Sequence, residues 1–159
     1  MTYLAFKWLH LLGAAILFGT GLGIAFFAWF GYRMAMRQKN LGLLQGVLSL
    51  TVTADAVFTA VAAAVQPVTG LILWRMAGGS WTHPWLLWVF AVYAFVGACW
   101  LPVVGLQIRL RNAARAADSV QALHPRFHHW FRTWFVLGWP AFAGVMLLFA
   151  LMIGRGYFA

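Results

Sequence analysis

Ionisable side chains placed inside long apolar runs are costly, so chemistry is the default reason for their presence. Lys7 and His10 form the first such set, three residues apart and therefore on one face of a helix. His10 shares its side of that helix with Gly13, Ala14, Leu17, Gly21, Ala25 and Ala28, and Trp8, Leu12, Phe26 and Phe30 occupy the other side. Small residues admit a neighbouring helix and bulky aromatics suit lipid, which turns His10 towards a bundle interior. His83 opens a later helix that runs parallel to the first and reaches the same side of the membrane. Two imidazoles on neighbouring helices are a known way to hold haem iron. The competing expectation for His10 is a hydrogen bond to the Thr69 hydroxyl, the Gln66 amide or the carbonyl that Pro67 leaves free.

The second set is a polar stripe, Thr51, Asp55, Thr59, Ala62 and Gln66, sharing one helical face. Asp55 is the only acid in any apolar run. Depth counting places it level with Gly21–Ile24 and with Trp100–Pro102. It reads as a proton-handling or ion-binding group, or else as a structural acceptor for the Trp100 indole. Tyr93, Trp100, Gln107 and Arg111 share a face of the third helix, read as a packed aromatic seam ending in a snorkelling arginine. His124 and His128 are four apart, a spacing that can bind metal on a helix, but Pro125 disfavours helical geometry at His124. With His129 they read as interfacial histidines beside Arg126 and Arg132. Methionines are dispersed, and Cys99 is the only cysteine, which excludes an internal disulfide and a multi-cysteine metal site. Glutamate is absent, as are HExxH and CxxCH, so a hydrolase built on paired carboxylates is excluded.

The elements that must carry these residues are membrane-spanning helices. Apolar residues make up 64% of the 159-residue chain, charged residues 8%, and the mean hydropathy is +0.85. A soluble domain of this size cannot hide that much apolar surface. The apolar runs predict a single all-α domain over 1–159, a four-helix transmembrane bundle with helices over about 4–30, 43–74, 83–110 and 133–153. Pro67, Pro102 and Pro140 interrupt three of them. The stretch between the last two helices is expected to lie partly helical on the membrane surface. The start of the chain lacks a basic n-region and a cleavage pattern and reads as a retained anchor. A net charge of +9 comes from basic residues at the ends of apolar segments, which argues for bilayer orientation and against nucleic acid as a partner. Arg33, Arg37, Lys39, Arg109, Arg111, Arg115, Arg126 and Arg132 fall on one side, and Lys7, Arg75 and Arg155 on the other. The positive-inside rule then places both termini outside.

Four segments carry a family resemblance: Tyr3 to Phe27, Thr53 to Leu73, Gly97 to Ala114 and Arg132 to Gly154. Together they resemble the bacterial family of predicted four-helix integral membrane proteins of unknown function, which implies residence in the cell (inner) membrane. More distantly, Lys7 and His10 in a KxxH pattern resemble the opening of HemJ-type protoporphyrinogen oxidases and of the membrane part of CopD-type copper-resistance proteins. Trp81-Thr82-His83 resembles the Trp-x-His of the HemJ type. That likeness implies haem b near the outer face, with His10 and His83 as iron ligands and Lys7 as partner of a propionate. The resulting expectation is a membrane redox protein acting on a quinone or porphyrin, with Asp55 handling protons. Two alternatives stay open: a metal-ion or proton transporter using the polar stripe, and a cofactor-free membrane assembly partner. Besides the lipid bilayer, a second copy of the chain in a homo-oligomer is a candidate partner.

Overall fold

The computed structural model describes residues 1–154. Arg155, counted above among the outer basic residues, lies outside that range. The described residues are helical and contain no strand. Helix α1 spans Thr2–Gln38, and α2 (Leu41–Ala54) passes through a π-turn at Asp55–Thr59 into α3 (Ala60–Met76). Helices α4 (Pro84–Arg115) and α5 (Phe127–Ile153) complete the bundle. With α2, the π-turn and α3 counted as one crossing, four helices among the described residues are long and apolar enough to span a membrane.

Three helix ends run beyond the apolar runs that predict them. Helix α1 continues to Gln38, α4 to Arg115, and α5 begins at Phe127 and takes in His128 and His129. The α1 and α4 extensions are rich in Arg, Met and Ala, which are good helix formers. The stretch expected to be partly helical on the surface holds one short 3₁₀ turn, Val120–Ala122. Helix α1 stops at Lys39, whose φ of 50° is left-handed, and Asn40 Oδ1 accepts the Leu43 N–H at 2.9 Å to start α2. His83 caps α4 in the same manner, with Pro84 in the first turn.

Helix α1 lies against α2, α3 and α5, and α4 lies against α2 and α5. The bundle therefore closes as a ring in which α1 and α4 are diagonal. Its small-residue faces make the close contacts. A Cβ added at Gly31 would lie 2.6 Å from Val47 Cγ2, and one at Gly144 would lie 2.5 Å from Val96 Cγ2. Leu44, Leu48, Leu110, Phe127 and Phe131 fill the half of the core nearest the basic loops. Trp8, Phe26, Phe27 and Phe30 are exposed on the outside, where acyl chains would meet them. The end of the bundle that carries the basic loops is called the basic end below, and the end where α1 begins and α5 ends the terminal end.

Pro67 deletes the N–H that would bond the Ala63 carbonyl. The Tyr93 hydroxyl of α4 donates to that carbonyl instead. A helix break and an interhelical tie are thus one feature, since a lone carbonyl in a water-free interior needs a donor. Tyr93→Phe is expected to lower stability by about 1 kcal/mol, the usual size of an interhelical hydrogen bond in a membrane. With Pro67→Ala already present, the same change should cost close to nothing, because that substitution restores the missing backbone donor. Reversible unfolding of the four variants in mixed micelles measures the coupling; equal losses in both backgrounds would show that the hydroxyl does not replace the N–H.

Candidate functional site

The inward positions of the second crossing follow helical spacing: Leu44, Leu48, Thr51, Asp55, Thr59, Ala62, Gln66 and Thr69 are all buried. A residue four positions along a regular α-helix is rotated by about 40°, so successive steps of four would drift off this face. The wider π-turn takes the drift back. There the Ala60 N–H donates to the Asp55 carbonyl, five residues away, and Asp55 and Thr59 both stay inward. Such turns are rare and gather at functional sites.

Asp55 is 6% exposed. The Trp100 indole donates to Oδ1 at 3.3 Å, and the Gln107 amide donates to Oδ2 at 2.6 Å. Gln107 Oε1 in turn accepts the Trp134 indole N–H at 3.3 Å. One carboxyl thereby joins the second crossing, α4 and α5. All its side-chain donors are neutral, so within the described residues no basic group compensates a negative charge there. The depth match between Asp55 and Trp100 is realised in the fold. The face predicted for Tyr93, Trp100 and Gln107 also points inward, with half-buried Arg111 bonded to Asn112 at its end.

On the terminal side of Asp55, polar groups continue along the seam between α1 and α3. Thr20 gives its proton to the Ile16 carbonyl at 2.6 Å, so Thr59 is the donor in the 3.2 Å contact between their hydroxyls. The Gln66 amide donates to the His10 carbonyl at 2.8 Å. Thr69 gives its proton to the Val65 carbonyl at 2.9 Å, so His10 Nδ1–H donates to Thr69 Oγ1 at 2.8 Å. That chain of donors sets the tautomer and leaves His10 Nε2 with its lone pair. Two glycines permit this closeness. A Cβ at Gly13 would sit 2.5 Å from Gln66 Nε2, and one at Gly70 would sit 3.2 Å from His10 Cε1.

His83 is engaged elsewhere. Its Nδ1 accepts the Trp85 backbone N–H at 3.2 Å, and its ring meets Trp74 edge-on at 5.7 Å. No hydrogen bond or ring contact joins His83 to His10 among the described residues, and Lys7 is exposed. At the basic end, the Tyr32 hydroxyl and His128 Nδ1 share a hydrogen bond of 2.6 Å, and His124 precedes α5, stacked on Trp130 at 4.7 Å. The metal-binding spacing of His124 and His128 is therefore not realised on one helix. Among the described residues, no three His, Cys, Asp or Glu side chains gather as a metal site. A crevice of about 450 Å³ between α4 and α5 is lined by Trp88, Phe95, Pro140, Gly144 and Leu147 among others, and by none of these titratable residues.

Sequence reasoning missed the π-turn, the Thr20 hydroxyl, the Gln107–Trp134 contact and the Tyr32–His128 pair. Thr20 had a signal, a hydroxyl flanked by Gly19 and Gly21 on a helix meant to be packed. The π-turn had none.

Residues 4–156 match the family described as "Predicted integral membrane protein (DUF2269)". No curated protein and no solved structure matches the chain.

Gln107→Leu removes the shorter donor to Asp55 and leaves the Trp134 N–H without its acceptor. It is expected to destabilise the fold by about 2–3 kcal/mol, against about 1 kcal/mol for Trp100→Phe, which loses one longer bond. Denaturation in micelles ranks the two, and the opposite order would contradict the network.

Proposed function

Given that the chain belongs to the family of predicted integral membrane proteins that matches residues 4–156, we propose that it works within the bilayer, moving protons by way of Asp55. The observation that carries this reading is a buried acid on a π-turn whose two oxygens accept N–H bonds from neutral side chains only. A carboxylate removed from water needs a counter-charge, and two neutral donors do not supply one. A metal cation would need roughly six or more oxygen ligands for the hard ions, yet the groups aimed at Asp55 are N–H donors that repel it. A proton needs one lone pair, and a carboxylate bonded twice has lone pairs to spare. The metal-ion branch of the transporter reading is accordingly the weaker one. With the basic end in the cytoplasm, as the placement of Arg and Lys favours, both ends of the described chain face outward.

Purified protein in liposomes is expected to collapse an imposed pH gradient, read by an internal pH dye, and Asp55→Asn should return the rate to that of empty liposomes. In the same preparation, the infrared carbonyl band of a protonated acid should titrate with pH and vanish in Asp55→Asn. Wild-type protein with no flux and no titrating band would overturn the proposal.

A second reading is favoured by one observation: His10 has Nδ1–H anchored on Thr69 and Nε2 free, the arrangement an imidazole needs to ligate iron. A bound haem b would supply one-electron chemistry towards a quinone or porphyrin, the role implied by the likeness to HemJ-type proteins. His10 fits such a ligand; His83 does not, since a ring that caps α4 through the Nδ1 lone pair carries its proton on Nε2. Lys7, exposed one turn before His10, is free to pair with an anionic propionate. Protein expressed with haem supplied should show a Soret band that His10→Ala removes, and a colourless wild-type protein would end this reading.

A further inference from the structure

The polar groups around Asp55 are distributed unequally along the bundle axis. Towards the terminal end, the α1–α3 seam holds Thr20 with Thr59, then Gln66, then His10 with Thr69, each contact bridging the two helices or capping a carbonyl. Ala62 and Gly13 fill the seam between these polar steps with the smallest side chains available. Towards the basic end, polar contacts between α2 and α4 stay off the core, Gln45 on the Ala114 carbonyl at 2.9 Å and Arg115 on Ser49 at 3.1 Å. The core beyond Thr51 is Leu44, Leu48, Leu110, Phe127 and Phe131, all at most 2% exposed. A hydrated path cannot run through close-packed leucine and phenylalanine without displacing them. The hydroxyl, amide and imidazole groups of the seam, now bonded across it or along their own helices, can exchange those partners for water when α1 and α3 part.

We infer that Asp55 exchanges its proton with the medium at the terminal end only, along the α1–α3 seam marked by Thr59, Thr20, Gln66 and His10. This rests on the proton-handling reading above and adds the route and its sidedness. His10 is the titratable group at the mouth of the route, contributed by α1. Lys7 and Arg75 stand exposed at the same end on α1 and α3, and α4 contributes Tyr93, whose hydroxyl is committed to Ala63, and His83, whose Nδ1 caps the helix. Helix α5 meets this half of α1 with aromatic rings, Phe142 and Phe149 against Phe18, and brings no charge. The proton leaves the Asp55 carboxyl as a hydronium or is handed between waters, and the carboxylate left behind keeps the Trp100 and Gln107 N–H bonds. The leucine–phenylalanine plug makes the closed side, so passage across the whole membrane requires those side chains to move.

Two measurements in oriented vesicles test the route. In a Cys99→Ser background, Thr20→Cys and Thr59→Cys are exposed to a charged, membrane-impermeant thiosulfonate added to one face at a time. Labelling is expected to be roughly tenfold or more faster from the terminal face, because a charged reagent entering the apolar plug is strongly disfavoured. Leu48→Cys, in the plug, should not label from the basic face on that time scale. Faster labelling of Thr59→Cys from the basic face, or labelling of neither seam cysteine in a correctly folded protein, would overturn the inference. The second measurement is the infrared carboxyl band of the unmodified chain while the pH of a single face is changed. A band that follows the terminal face supports the route. One that follows the basic face overturns it and leaves proton handling by Asp55 intact, and a band absent at every pH strikes the proposed function itself.

Discussion

A carboxyl group taken into a bilayer must be solvated by the protein, and the bundle is arranged around how that is done for Asp55. Along the second crossing the backbone N–H groups near Asp55 are taken up by the helix itself, so the donors come from α4, with Trp134 of α5 holding the Gln107 amide in place. The requirement ties three crossings together at one depth. It also accounts for a local irregularity, because the π-turn keeps the acid and Thr59 on the same inward face while the regular helix on either side supplies the leucines below and the polar residues above. The pair of longer and shorter bonds leaves lone pairs on both oxygens, which suits a group that gains and loses a proton.

The other recurring device is the exchange of backbone for side-chain hydrogen bonding. In hydrocarbon, every carbonyl without a helical partner has to find another. Tyr93 serves the carbonyl freed by Pro67, and the Gln66 amide adds an interhelical bond to the His10 carbonyl, inside the unbroken α1, across the α1–α3 seam. Thr20 and Thr69 give their protons to their own helices and so become acceptors for a neighbour, which fixes the direction of both interhelical bonds. His10 is the beneficiary at the terminal end. Its ring is oriented and its tautomer set by a threonine that has no other proton to offer, and Gly70 leaves room for it.

The two imidazoles expected as joint iron ligands differ in kind once their partners are visible. His10 has a free nitrogen inside a seam, and His83 uses its lone pair to close the first turn of α4. Helix capping competes for the same electron pair that a metal would take, and a histidine followed at once by proline is well disposed to be a cap. The basic-end histidines divide similarly. His128 reaches Tyr32 across the bundle, but His124 lies outside α5 on the Trp130 ring, so their spacing of four in the sequence does not bring them to one point.

Much of the architecture was determined by the sequence alone. The length and purity of the apolar runs demand membrane-spanning helices, the small-residue side of α1 demands a packed partner, and the stripe from Thr51 to Gln66 demands burial, because each follows from local composition and helical period. Even the depth match of Asp55 with Trp100 came from counting residues. Tertiary structure alone decided which donor meets which acceptor. That choice depends on where α4 and α5 fall around the ring and on a π-turn that no residue type announces, since an extra residue in a turn is stabilised only by the contacts it makes possible. The roles of His10 and His83 belong to the same category: residue type and spacing show that a side chain can ligate or cap, and the direction in which its lone pair finally points is a property of the packed bundle.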